Sequence, residues 1–162
     1  MKNLLLCRHA DAQPLSGRQS DMERKLSEAG MVQCEQAINW LYQLQISGLQ
    51  IFCSSAERAF ETAKLLATAF PGVRPQVYDE LYESSSSGLL KFVNNLPEPV
   101  QTVLLVSHNP GISYFASNLC DRDLNFETCQ IVELDLAANK WEEVSYGAAT
   151  AKKVFVTGEN LP

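Results

Sequence analysis

Thr102-Val103-Leu104-Leu105-Val106-Ser107-His108-Asn109-Pro110-Gly111 passes without a break from an apolar run into a helix-opening turn. The run carries no charge and is rich in valine and leucine, as a strand buried on both faces should be. Asn109 is a good helix cap, and Pro110 suits a first helical position. A buried strand feeding directly into a helix is half of a βαβ unit, so this stretch predicts an α/β fold.

The same pattern occurs twice upstream. Leu4 to Cys7 is a short buried strand, followed by Arg8-His9. Leu49 to Cys53 is another, and Ser54-Ser55-Ala56-Glu57 after it reads as a capping box with Ser54 as the cap. Ala59, Ala63, Leu66 and Phe70 form the buried stripe of the next helix, which Pro71-Gly72 ends. Between the first two strands, Asp11 to Lys25 reads as a long polar loop. Ser27 then caps a helix reaching about Gln45, with Cys34, Ile38, Leu41 and Leu44 at helical spacing. Gln76 to Tyr78 is a short strand, Ser84 to Gly88 a mobile loop, and Leu89 to Asn95 a helix. Ile131 to Leu136 alternates apolar and acidic residues, as a strand with one wet face does. Trp141 to Tyr146 is expected to pair with it through a turn at Ala138-Asn139. Together these elements predict an α/β sandwich in one domain over residues 1–162. Its sheet is mainly parallel with an antiparallel edge.

Bulk properties narrow the function. The net charge of -6 argues against nucleic acid as a partner, since no general attraction to a phosphate backbone is on offer. No stretch is long and apolar enough for a membrane span, and the residues before Arg8 are too few for a signal-peptide core. The five cysteines match neither zinc nor redox spacings and read as reduced core residues of a cytoplasmic protein. A monomer is expected.

Ligands of open α/β sheets bind beyond the carboxyl ends of the strands. Arg8-His9, Arg58 and His108-Asn109 all fall there, and the chain has only two histidines. Arg58 also lies in the first turn of its helix, where the dipole disfavours a cation unless an anion is bound nearby. An ion pair with Glu57 or Glu61 is the alternative.

Leu4-Leu5-Leu6-Cys7-Arg8-His9-Ala10 resembles the Arg-His-Gly signature of the histidine phosphatase superfamily, the phosphoglycerate mutase-like group. Ser54 to Ala63 is similar to its second arginine motif, and Val106-Ser107-His108-Asn109-Pro110-Gly111 to its second histidine motif. Asp21 to Gly30 resembles a stretch of the short SixA-type phosphohistidine phosphatases. The resemblance implies a three-layer α/β/α, phosphoglycerate mutase-like fold with helices on both faces of the sheet, and a phosphatase that needs neither metal nor organic cofactor. It makes His9 the nucleophile, with Arg8, Arg58 and His108 around the phosphate. Arg24 and Asn109 become further candidates for substrate contact.

Two departures from the pattern matter. Ala10 replaces glycine, a mild change unless the backbone needs a positive φ. The acid that protonates a leaving oxygen is not evident. Glu80 and Glu83 are candidates, but read more readily as exposed carboxylates beside a serine-rich loop. Imidazole leaving from phosphohistidine can already be protonated and needs such an acid less than an alkoxide does. The expected activity is therefore dephosphorylation of phosphohistidine in a protein. Hydrolysis of a small phosphate ester is the alternative, and a non-catalytic phosphate- or phosphoprotein-binding domain is another. Four residues separate Cys53 from Arg58, one too few for a cysteine-phosphatase loop. His9 and His108 lack the spacing of a helical metal pair.

Overall fold

The computed structural model describes residues 1–159. Its sheet contains β1 (Asn3–Arg8), β2 (Leu49–Ser54), β3 (Gln76–Tyr78), β4 (Thr102–Ser107), β5 (Ile131–Leu136) and β6 (Ala149–Phe155). The spatial order is β3-β2-β4-β1-β5-β6. The first four strands in that order run parallel, while β5 and β6 pair antiparallel at the other side. The predicted mixed sheet is therefore present.

Alternation along the central strands makes two cores. Leu5, Cys7, Ile51 and Cys53 face α1 (Glu28–Gln43) and α2 (Glu57–Leu66). Leu4, Leu6, Phe52 and Val103 face α3 (Ser86–Asn94) and α4 (Gly111–Cys120). With helices on both faces, the strands are apolar throughout rather than alternating, as the opening stretch implies. Ser27 caps α1 by accepting from the Gly30 amide, as expected.

Several local expectations are corrected. Ser84 to Gly88 is not a free loop: Ser85 caps α3 by accepting from the Gly88 amide, and Ser86 already belongs to the helix. Trp141 to Tyr146 is not the partner of β5. Trp141–Glu143 is a 3-10 turn, because the Trp141 ring is fully buried and its indole N–H donates to the Val100 carbonyl. The partner is β6, which pairs Ile131 with Phe155 and Leu136 with Ala149. The wet face of β5 is also less wet than its sequence suggests: Glu133 is buried, and Asn3 Nδ2 donates to its Oε1. α4 begins at Gly111 with Pro110 as its N-cap, so Asn109 and Pro110 each lie one position earlier than predicted.

Gly111 brings two site loops together. A Cβ at this position would collide with the backbone carbonyl of Ser84. Gly111→Ala is therefore expected to lower stability by about 1–3 kcal/mol, the usual range for overpacking against a fixed neighbour. Urea titration of the variant checks this. A wild-type midpoint would contradict the close approach.

Candidate active site

β1, β2 and β4 are adjacent and parallel, so the residues that follow them meet at one end of the sheet. His9 follows β1, His108 follows β4, and Arg58 lies in the first turn of α2 after β2. The two imidazole centroids are 5.1 Å apart. Arg58 Nε donates to His9 Nε2 at 3.3 Å, and Arg58 Nη2 lies 3.5 Å from His108 Nδ1. All three side chains are nearly buried, at 9%, 5% and 4% exposure for His9, Arg58 and His108.

The hydrogen bonds set opposite tautomers on the two rings. His9 Nδ1 lies 2.8 Å from the Ala10 carbonyl oxygen, which can only accept, so Nδ1 carries the proton and Nε2 is bare. His108 Nδ1 faces a guanidinium, which can only donate. Its proton therefore sits on Nε2, which donates to Ser54 Oγ at 2.7 Å. This partner also corrects the capping-box reading. Ser54 is the last residue of β2, and the N-cap of α2 is Ala56, with no side-chain cap. Thr62 Oγ1 ties the pieces together: it accepts from the Ala10 amide and donates to the Arg58 carbonyl. Ala10 does not have a positive φ, so alanine in place of glycine introduces no backbone strain there.

Burial pushes the His9 imidazole down to about 4, and the positive charges of Arg58, Arg8 and Arg24 act in the same direction. The bond to the Ala10 carbonyl opposes this. Burial, followed by His9 and Arg58, pushes His108 down to about 3. His108 is therefore neutral near pH 7, not the protonated donor that would suit a phosphate best. Folded-state values below the ordinary 6.5 mean that the unfolded chain binds more protons in this window. These two groups are thus expected to lower stability as pH falls from about 6.5 towards 3, with no further loss from them below both folded values. Imidazole 15N shifts provide the check. They should show a bare Nε2 on His9, a bare Nδ1 on His108, and neither ring charging above about pH 5. A ring titrating near its ordinary value would contradict the burial.

Asp21, in a 3-10 turn (Asp21–Glu23), closes the cluster from the Asp11–Lys25 loop. Arg58 Nη2 donates to its Oδ2 at 2.9 Å and Arg58 Nη1 to its carbonyl. Tyr82 Oη donates to the same Oδ2 at 2.6 Å, and Arg24 Nη1 to Oδ1 at 3.0 Å. Tyr82, then Arg24 and Arg58, hold this carboxyl well below the usual carboxylate range. The Asp21 bond in turn pushes the Tyr82 phenol up to about 12.

The other candidates sit as follows. Arg8 donates Nη1 to the Phe126 carbonyl, its Nε has no partner, and its charge reaches both imidazoles. Arg24 holds Asp21 and donates Nε to the Gln13 carbonyl. The Asn109 amide is engaged by the Phe126 carbonyl and by Ser113 Oγ. Glu83 lines a cavity next to Asn109. Glu80 lines a different one, with Phe52, Tyr78 and Lys91. Sequence reasoning gave no role to Asp21, Tyr82 or Thr62. Asp21 and Thr62 lie inside the quoted motifs, but only the fold shows what they hold.

Residues 4–89 match the family described as the histidine phosphatase superfamily, branch 1. The chain belongs to the histidine phosphatase superfamily. It is a hydrolase of the histidine phosphatase type, with the fold of that group. Among solved structures, it resembles an Agrobacterium tumefaciens protein provisionally named phosphohistidine phosphatase SixA. That likeness has 26% identity and a TM-score of 0.81, covering 96% of this chain and 97% of the other. The protein histidine phosphatase SixA, solved with tungstate, gives 24% identity and a TM-score of 0.77 over 94% and 95% of the two chains. A mycobacterial glucosyl-3-phosphoglycerate phosphatase gives 18% and 0.67 over 94% and 97%. Among the described residues of this histidine phosphatase, no helix is long and apolar enough to cross a membrane.

Proposed function

We propose that this histidine phosphatase removes the phosphoryl group from phosphohistidine in a protein, through a covalent phosphohistidine on His9. The observation that carries the proposal is the locked tautomer of His9. Its bare Nε2 faces Arg58 while Nδ1 is held by the Ala10 carbonyl. A phosphoryl group enters between Nε2 and the guanidinium, so Arg58 exchanges its contact with His9 for phosphoryl oxygens. Arg8 and His108 complete the cradle, and a bound dianion favours protonation of His108. Nε2 attacks in line and the bond to the leaving group breaks with its electron pair. Water then attacks the phosphohistidine, freeing His9 and inorganic phosphate. Most of the catalysis is positioning and charge stabilisation.

The substrate follows from the proton balance. The carboxylate in the cluster, Asp21, is held ionised by three donors and is a poor source of a proton. An alkoxide needs such a source, whereas a ring-protonated imidazole leaves without one. The likeness to the SixA proteins supports the same substrate. Hydrolysis of a small phosphate ester is the second reading, supported by the fold shared with the glucosyl-3-phosphoglycerate phosphatase. We include in the proposal a cytoplasmic monomer of one domain acting without metal.

Time courses on a phosphohistidine-bearing protein and on glycerol phosphate, whose alkoxide leaves poorly without a proton, test the order. We expect kcat/KM to be at least about tenfold higher on the phosphoprotein. Faster turnover of the ester would reverse the assignment.

A further inference from the structure

A planar guanidinium offers two forks of paired N–H groups, Nε with Nη2 at its side and Nη1 with Nη2 at its end. In Arg58 the side fork faces both imidazoles, with Nε 3.3 Å from His9 Nε2 and Nη2 3.5 Å from His108 Nδ1. These are the two bare ring nitrogens, so this fork borders the space that a phosphoryl group must enter. The end fork belongs to one residue of another loop. Nη1 donates to the Asp21 carbonyl at 2.8 Å, and Nη2 to Asp21 Oδ2 at 2.9 Å.

Asp21 is itself held on both carboxylate oxygens. Tyr82 Oη donates to Oδ2 at 2.6 Å, and Arg24 Nη1 to Oδ1 at 3.0 Å. Arg24 is tied in turn by its Nε to the Gln13 carbonyl. The turn that carries Asp21 is closed by the Ser20 amide, which donates to Glu23 Oε2. An ionised carboxylate has no proton to give and repels a dianion, so Asp21 is neither an acid nor a phosphoryl ligand. Its side chain is 37% exposed, and ion pairs that solvent reaches add little stability. What remains is direction: two acceptors on one residue fix the plane and the rotation of the guanidinium.

We propose that Asp21 is a positioning residue, which grips the end fork of Arg58 so that the side fork stays aimed at the phosphoryl group between His9 and His108. The inference rests on the phosphoryl cradle proposed above, whichever phosphoryl compound is the substrate. When the group enters, Arg58 gives up His9 and keeps Asp21. One fork then holds the anion and the other holds the alignment. An untethered guanidinium would have to be ordered in every turnover, and a misplacement of about 1 Å costs on the order of 10²-fold in rate.

Turnover of whichever substrate above is hydrolysed faster is measured in wild type, Asp21→Ala, Arg58→Ala and the double variant. Asp21→Ala should lower kcat roughly 10²-fold. KM should change by less than about threefold, because the charges that bind the phosphoryl group are still present. Asp21→Asn, which keeps an acceptor oxygen and loses the charge, should lower kcat about tenfold. It also carries the same cycle should Asp21→Ala not fold. In the Arg58→Ala background the Asp21 change should cost less than about twofold, since a residue acting through Arg58 has nothing left to align. A general structural role would cost the same factor in both backgrounds, and that result would overturn the proposal. Wild-type kcat in both Asp21 variants would overturn it too. Wild-type turnover in Arg58→Ala would overturn the cradle itself, and the alignment with it.

Discussion

His9→Ala is expected to reduce turnover by roughly 10⁴-fold or more, the scale seen when a covalent nucleophile is removed. The same variant should lose the acid-labile phosphoryl label that the wild-type protein acquires from a phosphodonor. The reason is local. His9 Nε2 is the bare imidazole nitrogen facing Arg58, while the bare nitrogen of His108 is Nδ1 and its Nε2 is committed to Ser54. The fold should survive, because the Ala10 amide stays bonded to Thr62 and the His9 amide to the Ser107 carbonyl whatever side chain is present. Quench-flow labelling with circular dichroism as a folding control measures both. Label retained in His9→Ala would move the nucleophile elsewhere. Binding of phosphate without label or turnover in the wild type would favour a docking domain.

Arg58→Ala should lower kcat/KM by roughly 10³-fold, about 4 kcal/mol, since a buried guanidinium supplies charge-assisted bonds in a site that excludes water. Arg58→Lys should recover little of this. One ammonium cannot present a planar fork, and the present geometry uses Nε towards His9 with Nη1 and Nη2 towards Asp21. Steady-state kinetics on both variants decides the matter. Near-wild-type activity in Arg58→Lys would mean that Arg58 serves as a tether for the Asp21 loop and not as a phosphate ligand.

The sheet and the site were legible in the sequence to different depths. Strands β1, β2 and β4 are built on short runs without charge (Leu4 to Cys7, Leu49 to Cys53 and Thr102 to Val106), so their position and burial follow from composition, and their parallel order follows from the helices between them. That order brings His9, Arg58 and His108 together. Polar residues with two local options were harder to read. Ser54 looks like a cap, but the neighbouring strand offers it His108, and a buried imidazole is the stronger claimant. Ser84 to Ser87 looks like a flexible run, yet Ser85 caps α3 by accepting from the Gly88 amide. Trp141 has the β-propensity of a strand residue, while burying its ring under Val100 requires a turn. Asp21 was invisible for a different reason: it lies 37 positions from Arg58, and nothing local signals their ion pair.

The most direct measurement of the central claim is a crystal structure with vanadate or tungstate bound. The anion should lie against His9 Nε2, held by Arg8, Arg58 and His108, with Arg58 drawn off its present contact with that nitrogen. An oxyanion that binds elsewhere and leaves Arg58 on His9 and Asp21 would contradict it.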